Sequence, residues 1–357
     1  MSEGTPAAPL PRIVIVSDAW HPQVNGVVRT LTAVRDELRC LGYRVEVIGP
    51  DRFRTLPMPG YRSIRLAVLP GRRLARLIEA CRPDALHIAT EGPLGLAARA
   101  WARRRGQRFT TSLHTRFPEY LQARLRVPLG LSYAWLRRFH APASGTMVAT
   151  ASLRDELAAR GFTRLLMWSR GVDLDLFRPE PREAWDLPRP VFACVGRVAV
   201  EKNIPAFLAL DLPGSKVVVG DGPMLPALRR AFPAAHFAGE RHGAALARAY
   251  AGADVLVFPS RTDTFGLVLL ESLACGTPVA AYPVTGPRDV LAAAGPPGRV
   301  GCIDADLRTA ALGALDADRA ACRAHAGTFG WPDCAARFLA NLVSMRPGSA
   351  AGTTLRG

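Results

Sequence analysis

The chain has 357 residues, of which 49% are hydrophobic, and a net charge of +16 at pH 7. This length is sufficient for two domains with separate cores, and the composition is typical of a soluble globular protein rather than a disordered or fibrous one. No run of about 18 apolar residues is present, which excludes a predicted membrane-spanning helix.

The cysteines and the N-terminal segment indicate where the protein works. Seven cysteines are scattered along the chain without a C-x-x-C pair. This pattern argues against a disulfide framework or a zinc site and favours a reducing cytoplasm. Residues 1–12 lack an apolar segment, which predicts that no signal peptide is present.

The positive charge is concentrated in one region. Residues 51–150 hold 18 arginines and 5 acidic residues, a net charge of +13, against +3 for the remainder. Such a region indicates an anionic partner, either a membrane surface or a nucleic acid. Only Lys202 and Lys216 are lysines, so a coding preference for arginine, and with it a merely solvated basic face, is an alternative explanation. Because that preference does not explain the localisation, we expect contact with an anionic membrane surface and none with nucleic acid.

Apolar runs alternate with helical patterns along the first half of the chain. Residues 13–16 form a continuous apolar run, as a buried parallel strand does. Apolar residues at helical spacing predict a helix over residues 27–41 that ends at Gly42. Further strands are predicted at residues 45–48, 85–88, 108–112, 146–149 and 165–167. This alternation is typical of a parallel, doubly wound sheet.

The alternation stops at a Pro-rich segment and then restarts. Residues 177–190 are predicted to be an interdomain linker. Strands follow at residues 192–195, 216–219, 236–237, 255–258, 278–281 and 302–303. The fold class is therefore α/β, with Rossmann-like domains over residues 1–176 and 191–330. A final helix near residues 331–345 is expected to pack back on the first domain, and the tail, residues 346–357, to be flexible.

The junction after the strand at residues 255–258 carries the clearest chemical signal. A helix is predicted from Leu267, with Asp263 in the loop before it and Glu271 one or two turns inside it. The first turn of a helix has unpaired N–H groups and a positive dipole end, so residues 265–267 form an anion site. A phosphate bound there would have a carboxylate on each side, and each carboxylate could accept hydrogen bonds from hydroxyls. That is the layout of a nucleotide-sugar.

Other strand ends carry residues that suit the same ligand. Arg197 and Lys202 follow the strand at residues 192–195, and both are able to reach a diphosphate. Gly220-Asp221-Gly222 follows the next strand, where ordinary turn chemistry is also a sufficient explanation. In the first half, the long loop over residues 17–26 and His114 occupy equivalent places, and ligands bind at such carboxyl ends of parallel strands.

Several common reactions lack their usual residues. There is no G-x-x-x-x-G-K-[ST], no strand-linked G-x-G-x-x-G, no G-x-S-x-G and no H-E-x-x-H. Hydride transfer, ATP hydrolysis and serine or zinc hydrolysis are therefore disfavoured. The D-x-D pairs at residues 173–175, 304–306 and 316–318 are interpreted as helix caps and surface residues, so no metal site is predicted.

Taken in order, these segments resemble the family 4 retaining glycosyltransferases of GT-B architecture, over residues 13–342. Asp263 and Glu271 match the E-x7-E element of that family, and Gly196-Arg197 with Glu201-Lys202 match its diphosphate-binding strip. Three further recurring segments match at residues 170–173, 220–223 and 274–279. Two positions depart from the family pattern: Asp263 stands where Glu is usual, and Asn25 stands where Gly is common.

The resemblance implies two Rossmann-like domains facing across a cleft, and hexose transfer from a UDP- or GDP-sugar without a metal or other cofactor. Glu271 would bind the ribose, Asp263 the sugar hydroxyls, and Arg197 with Lys202 the diphosphate. The implied donor-binding residues are Gly26, Gly196, Arg197, Lys202, Gly220, Asp221, Gly222, Asp263, Thr264, Phe265, Gly266, Leu267 and Glu271. The implied catalytic residues are His114, Arg197, Lys202 and Asp263. The implied acceptor-binding residues are Asp18, His21, Asn25, His114, Thr115 and Tyr120.

Within the family, residues 18–27 and 114–120 look most like glycolipid-forming members, such as sulfolipid synthases and bacterial diacylglycerol glycosyltransferases. The expected acceptor is diacylglycerol at the inner face of the cell membrane. Phosphatidylinositol or a cell-surface oligosaccharide remains an alternative acceptor, and a catalytically idle nucleotide-sugar-binding protein remains an alternative function. The stretch over residues 120–140 mixes apolar and basic side chains, as either an interfacial helix or a core helix with a basic outer face does.

Overall fold

The structure, a computed structural model, describes residues 11–23, 25–58, 61–181 and 185–345, with side chains for all of these except residues 61–63, 120 and 123–125. The predicted tail at residues 346–357 lies outside the described residues.

The first half of the chain builds a six-stranded parallel sheet. Its strands are β1 (Arg12–Val16), β2 (Arg44–Ile48), β5 (Ala85–Ile88), β6 (Thr110–Ser112), β7 (Gly145–Val148) and β8 (Leu165–Met167). They lie in the order β2-β1-β5-β6-β7-β8. Its helices are α1 (Gly26–Cys40), α2 (Gly71–Cys81), α3 (Pro93–Arg104), α4 (Phe117–Leu125), α5 (Leu129–His140) and α6 (Ala151–Ala159).

Alternate residues of β1 enter different cores, which explains the continuous apolar run. Ile13 and Ile15 pack in a cluster with residues of α1, whereas Val14 and Val16 pack in a cluster with residues of α2 and α3. Successive side chains of a strand point to opposite faces, so a strand covered by helices on both faces must be apolar throughout.

A two-stranded antiparallel hairpin was not predicted from the sequence. It consists of β3 (Thr55–Met58) and β4 (Tyr61–Ala67), which pair only with each other in the described part of the chain. The Pro-Gly dipeptide at residues 59–60 was the available turn signal. The signal was missed because Leu56, Arg65 and their neighbours do not form the continuous apolar run of a central strand.

The second half of the chain builds another six-stranded parallel sheet, in the order β11-β10-β9-β12-β13-β14. These strands are β9 (Val191–Val195), β10 (Ser215–Val219), β11 (His236–Gly239), β12 (Val255–Phe258), β13 (Val279–Ala281) and β14 (Gly301–Ile303). The helices are α7 (Ile204–Leu208), α8 (Leu225–Ala231), α9 (Gly243–Gly252), α10 (Leu267–Ala274), α11 (Thr285–Ala292), α12 (Leu307–Gly313) and α13 (Arg319–Ala326). The predicted fold class, two Rossmann-like doubly wound sheets, is confirmed.

The last described helix, α14 (Trp331–Asn341), lies against the first sheet. Phe338 and Cys334 are buried in the cluster that contains residues of α1 and β1. The indole of Trp168 donates a hydrogen bond of 3.2 Å to the Cys334 carbonyl. The chain therefore crosses between the halves twice, once after β8 and once before α14.

The stretch over residues 120–140 is not one helix. α4 ends at Leu125 and α5 begins at Leu129, because Pro128 cannot supply the backbone N–H that a continuous helix requires. One face of α5 is buried through Tyr133, Leu136 and Phe139, so the core interpretation holds for that face. The opposite face exposes Leu131, Trp135, Arg137 and Arg138.

Candidate functional site

The junction of β12 and α10 forms as predicted. Gly266 precedes the helix with φ of +86°, a left-handed conformation that glycine adopts without strain. The N-cap residue, Gly266, makes no side-chain capping hydrogen bond, and the N–H groups of α10 begin at Leu267. The backbone of residues 265–267 therefore presents helix N-terminal donors where β12 ends, as an anion site requires.

Lys202 and Asp263 meet beside this helix terminus. Lys202 lies in a short 3-10 helix, Val200–Lys202, and its Nζ is 2.6 and 2.7 Å from the two Asp263 carboxylate oxygens. Two further bonds fix this turn to the β12 loop, from Asn203 Nδ2 to the Pro259 carbonyl and from Ser260 Oγ to the Glu201 carbonyl. The predicted diphosphate-binding lysine and the predicted sugar-binding carboxylate are thus paired with each other.

Glu271 is deeply buried on α10, with 4% of its side chain exposed. One carboxylate oxygen, Oε1, lies 2.6 Å from Nη2 of Arg29, and the other accepts a hydrogen bond of 2.8 Å from the Tyr250 hydroxyl. Burial, followed by the charge of Glu271, raises the pKa of Tyr250 well above its ordinary value. The phenol therefore stays protonated and donates.

The loops after β9 and β10 approach each other closely. A Cβ on Gly220 would lie 1.9 Å from the Gly196 carbonyl oxygen, and a Cβ on Gly222 would lie 2.4 Å from the Val198 carbonyl oxygen. Glycine at these two positions is therefore a steric requirement. Arg197 and Asp221 are exposed on these loops, at the same sheet edge as Lys202.

His114 is engaged on both ring nitrogens. Nε2 lies 2.9 Å from Ser112 Oγ, and Nδ1 lies 3.2 Å from Nη2 of Arg170. A guanidinium only donates, so Nδ1 accepts and the imidazole is neutral. Burial, followed by the charges of Arg170 and His87, lowers the pKa of His114 well below its ordinary value. The ring is therefore held by the protein, and its role at the substrate stays a prediction.

The backbone of His114 contacts the other half of the molecule. Its carbonyl oxygen accepts a hydrogen bond of 2.7 Å from Thr264 Oγ1. Between the same halves, Asp289 on α11 accepts from Ser152 Oγ at 2.6 Å and from the Ser152 amide at 3.0 Å, at the start of α6. With the Arg29–Glu271 ion pair, these contacts hold the two halves together around the cleft.

Two predicted acceptor-binding residues act as helix caps. The Asp18 carboxylate accepts from the amides of Leu94 and Gly95, at the start of α3, and from Thr90 Oγ1. Its side chain is buried, and burial raises its pKa. Asn25 Oδ1 accepts from the amides of Val27 and Val28 at 3.0 Å and caps α1. The geometry gives both side chains a structural place.

The remaining acceptor-side predictions lie at or near α1 and α4. Exposed His21 has its Nε2 3.3 Å from Thr32 Oγ1, and Thr115 is half-buried before α4. The side chain of Tyr120 lies outside the described residues. Gly26 begins α1 beside Leu267, whose Cδ1 would lie 3.6 Å from a Cβ at that glycine.

A mostly apolar cavity of about 320 Å³ lies beside the Arg29–Glu271 pair, between α1, α10 and the crossover after β8. Its lining includes His21, Leu267, Phe177 and Trp331. Of the predicted site residues, His21 from the acceptor set and Leu267 and Glu271 from the donor set border this cavity, although they come from distant parts of the chain.

The acidic D-x-D pairs have the structural places predicted for them. Asp306 and Asp318 cap α12 and α13, and Asp173 accepts from the amides of Asp175 and Leu176. In the described part of the chain, no three His, Cys, Asp or Glu residues come together in a group able to hold a metal ion. In that same part, no helix has the length and apolarity needed to cross a membrane.

Three site residues were missed in the sequence: Arg29, Tyr250 and Arg170. Arg29 and Tyr250 both bind Glu271, but neither lies in a motif that points to it. Arg170 belongs to the recurring segment at residues 170–173, but only the three-dimensional contact with His114 shows what its guanidinium binds.

Comparison with known proteins places this geometry in context. Residues 24–176 match the family model described as Glycosyltransferase Family 4, and residues 189–312 match Glycosyl transferases group 1. The GDP-mannose-dependent alpha-mannosyltransferase of Mycolicibacterium smegmatis is 34% identical over 308 residues, covering 79% of this chain and 82% of that protein.

Two further relatives carry names that refer to glycolipids or their sugars. Sulfoquinovosyl transferase SQD2 of Arabidopsis thaliana is 30% identical over 74% of this chain and 54% of its own length. A GDP-mannose-dependent alpha-(1-6)-phosphatidylinositol dimannoside mannosyltransferase of Mycobacterium tuberculosis is 29% identical over 96% of this chain and 99% of its own length.

Solved structures share the fold at low sequence identity. Sucrose-phosphate synthase from Thermosynechococcus elongatus superposes with a TM-score of 0.71 at 19% identity, covering 92% of this chain and 97% of that one. Anabaena HepE in complex with UDP and glucose gives 0.67 at 13% identity, covering 92% and 98%.

Proposed function

Because the chain belongs to glycosyltransferase family 4, we propose that it transfers a hexose, with retention, from a nucleotide-diphosphate sugar to a lipid acceptor at the cytoplasmic face of the membrane. The proposal rests on one observation: Lys202, Asp263 and Glu271 lie around the N-terminal end of α10. An anion site flanked by two carboxylates fits a diphosphate between a ribose and a sugar.

Donor binding exchanges the partners of Lys202 and Asp263. The diphosphate attracts the Lys202 ammonium. The Asp263 carboxylate is then free to accept hydrogen bonds from hydroxyls of the hexose. Glu271 accepts the ribose hydroxyls one to two turns further along α10. Lys202, Asp263 and Glu271 then each have a partner before and after donor binding, so binding leaves none of these charges unpaired.

Catalysis in this arrangement is electrostatic and positional. The leaving diphosphate gains negative charge as the glycosidic bond breaks. Lys202, Arg197 and the amides of residues 265–267 stabilise that charge, and removing one such donor from an oxyanion site typically costs about 3 kcal/mol. The cleft must also exclude water, because water would hydrolyse the donor. The contact between Thr264 and the His114 carbonyl supports a closed state able to do this.

For the donor, we propose GDP-mannose first and a UDP-hexose second. The relative that is 34% identical uses GDP-mannose by its name, and it covers most of this chain. Asp263 is the residue expected to set the preference, because its carboxylate is one methylene shorter than the usual Glu and reaches a different sugar hydroxyl.

For the acceptor, we propose diacylglycerol or a simple glycolipid built on it. Large hydrophobic side chains are exposed in the basic region, at Leu56, Val68, Leu69, Leu96, Leu131 and Trp135. Exposed apolar groups among arginines are the combination that binds an anionic bilayer surface. Such a surface would bring a membrane-embedded acceptor to the cleft.

A second acceptor has support from one relative. The mannosyltransferase named for phosphatidylinositol dimannoside matches almost the full length of both chains. A phosphatidylinositol-based acceptor would need the same membrane contact and the same donor site. The two acceptors therefore differ only in the headgroup recognised.

The test is a product search. Purified protein is incubated with GDP-mannose, UDP-glucose and UDP-galactose in turn, with mixed bacterial lipids in anionic vesicles, and new glycolipids are sought by mass. We expect a lipid heavier by one anhydrohexose with one nucleotide-sugar. Donor binding with neither transfer nor slow donor hydrolysis would instead identify an idle nucleotide-sugar-binding protein.

A further inference from the structure

Arg29 connects the first half of the molecule to the donor site in the second half. It lies in the first turn of α1, three residues after Gly26, and its Nη2 is 2.6 Å from Oε1 of Glu271. The two residues are 242 positions apart in the chain. A side chain of the first half, where the acceptor is predicted to bind, thus contacts the carboxylate that is predicted to bind the ribose of the donor.

The exposure of the two partners differs sharply. The Glu271 side chain is 4% exposed, whereas the Arg29 side chain is 41% exposed. A buried carboxylate needs a cation or several hydrogen bonds to offset its lost hydration. Within its own half, the hydrogen bond that Glu271 receives is from Tyr250, and the cation comes from across the cleft.

We propose that Arg29 is a positioning residue for the donor, and that it links ribose binding to closure of the cleft by holding the Glu271 carboxylate from the opposite half. This role rests on the proposed function, since it assumes that Glu271 binds the ribose. It goes beyond that function because it makes the donor site complete only when the two halves meet.

The carboxylate has room for both the arginine and the ribose. A carboxylate accepts about four hydrogen bonds, two on each oxygen. Arg29 occupies one position on Oε1 and Tyr250 occupies one on Oε2. About one position on each oxygen remains, which matches the two vicinal hydroxyls of a ribose. Arg29 therefore stays in place and fixes the orientation in which those positions face the donor.

In an open cleft the site would be less well ordered. Separation of the halves removes Arg29 and leaves the carboxylate with Tyr250 alone, so it is free to rotate. Ribose binding to that state costs the ordering of the side chain as well as its desolvation. A donor bound through Glu271 consequently favours the closed state, which is the state that excludes water.

Another contact between the halves supplies a matched control. Ser152 and Asp289 join α6 to α11 through hydrogen bonds of 2.6 and 3.0 Å and do not contact Glu271. Loss of the Ser152 hydroxyl weakens the interdomain contact without altering the ribose carboxylate. Comparison of Arg29→Met with Ser152→Ala thus separates positioning of the donor from general loosening of the cleft.

The experiment measures nucleoside diphosphate binding by calorimetry, donor KM and kcat, and the radius of gyration with and without GDP or UDP. We expect Arg29→Met to raise the dissociation constant and the donor KM about tenfold, with a much smaller change in kcat. Nucleotide-induced compaction should be lost. Arg29→Lys should recover part of the affinity, and Ser152→Ala should stay close to wild type in nucleotide affinity.

The opposing outcomes are distinct. An Arg29→Met variant with wild-type melting temperature, wild-type affinity and wild-type compaction would overturn the role of Arg29 while leaving the proposed function intact. Equal losses in Arg29→Met and Ser152→Ala would also overturn it, because the effect would then be loosening alone. Wild-type protein that binds neither GDP nor UDP would overturn the donor site itself, and this role with it.

Discussion

Lys202 and Asp263 form a bidentate ion pair beside the N-terminus of α10, with the ammonium nitrogen 2.6 and 2.7 Å from the carboxylate oxygens. Their sequence context indicated two different parts of one ligand, a diphosphate and a hexose. In the structure each serves as the other's partner. The two charges balance each other in this pair, so donor binding through these residues must exchange one set of partners for another.

Replacing Lys202 with Met should reduce the transfer rate on the order of 100-fold, because the leaving diphosphate loses its ammonium partner. Asp263 also loses its cation. Initial rates at saturating donor would measure the effect. Lys216, the other lysine, lies on β10 and donates to the carbonyls of Leu208, the last residue of α7, and Leu210, and it is the matched control. Equal rates in Lys202→Met and Lys216→Met would exclude the assigned role of Lys202.

Replacing Asp263 with Glu should change the order of preferred donors. Glu has one more methylene group than Asp, so its carboxylate lies closer to the hexose and contacts a different hydroxyl. We expect the ratio of kcat/KM between two epimeric nucleotide-sugars to change about tenfold or more. Ratios would be measured in competition, which cancels errors in enzyme concentration. An unchanged ratio would show that Asp263 does not discriminate between donor sugars.

Buried His87 should make the protein sensitive to acid. Its ring lies between Thr110 Oγ1 at 2.9 Å and Ser112 Oγ at 3.0 Å, and burial lowers its pKa from 6.5 to about 3. Between these values the unfolded chain binds the proton more readily than the folded one. Stability should therefore fall as pH is lowered from 6.5 toward 3, by up to about 1.4 kcal/mol per pH unit for this histidine.

Urea unfolding midpoints at pH 7, 6 and 5 would measure this dependence. His87→Gln keeps a hydrogen-bonding side chain but cannot be protonated in this range, so its midpoint should fall less steeply than that of wild type. The same steepness in both proteins would show that His87 is not responsible. His114 contributes in the same direction and remains in both proteins, so the difference between them measures His87 together with its influence on the pKa of His114.

Binding to anionic vesicles should depend on the exposed face of α5. Arg137 and Arg138 lie beside Trp135, a residue that is 41% exposed. A double Arg→Glu change at these two positions should reduce flotation with anionic vesicles at low salt, since each basic residue near such a surface contributes about 1 kcal/mol. Added salt should weaken wild-type binding through screening. Salt-independent flotation, or none, would contradict membrane contact through this face.

Local sequence patterns were sufficient to predict most of the strands and helices and much of the donor-binding half. Buried parallel strands require continuous apolar runs, so β1 and the other central strands were visible in the sequence. The E-x7-E spacing fixed Asp263 and Glu271 on either side of one helix terminus. The break between α4 and α5 also has a local signal, which is Pro128. The mixed apolar and basic pattern of residues 120–140 obscured this signal, so the break was not predicted.

Contacts between distant segments were not predictable in this way. Asp18 caps a helix that begins about 75 residues later, so its position at a strand end suggested ligand binding instead. Arg29 meets Glu271 because the two halves come together at the cleft, and Tyr250 meets it because α9 packs beside α10 within the second half. No spacing rule in one sequence encodes such a meeting. These missed residues are the ones that decide how the site is assembled.

The most direct test of the account compares wild type with Glu271→Ala in the same sugar-transfer assay, with labelled nucleotide-sugar and lipid vesicles. The account predicts that wild type moves label from GDP-mannose or a UDP-hexose into the lipid extract. It predicts that Glu271→Ala, at equal melting temperature, does so on the order of 100-fold more slowly. Equal incorporation by both proteins would contradict the central claim that α10 holds the donor between its two carboxylates.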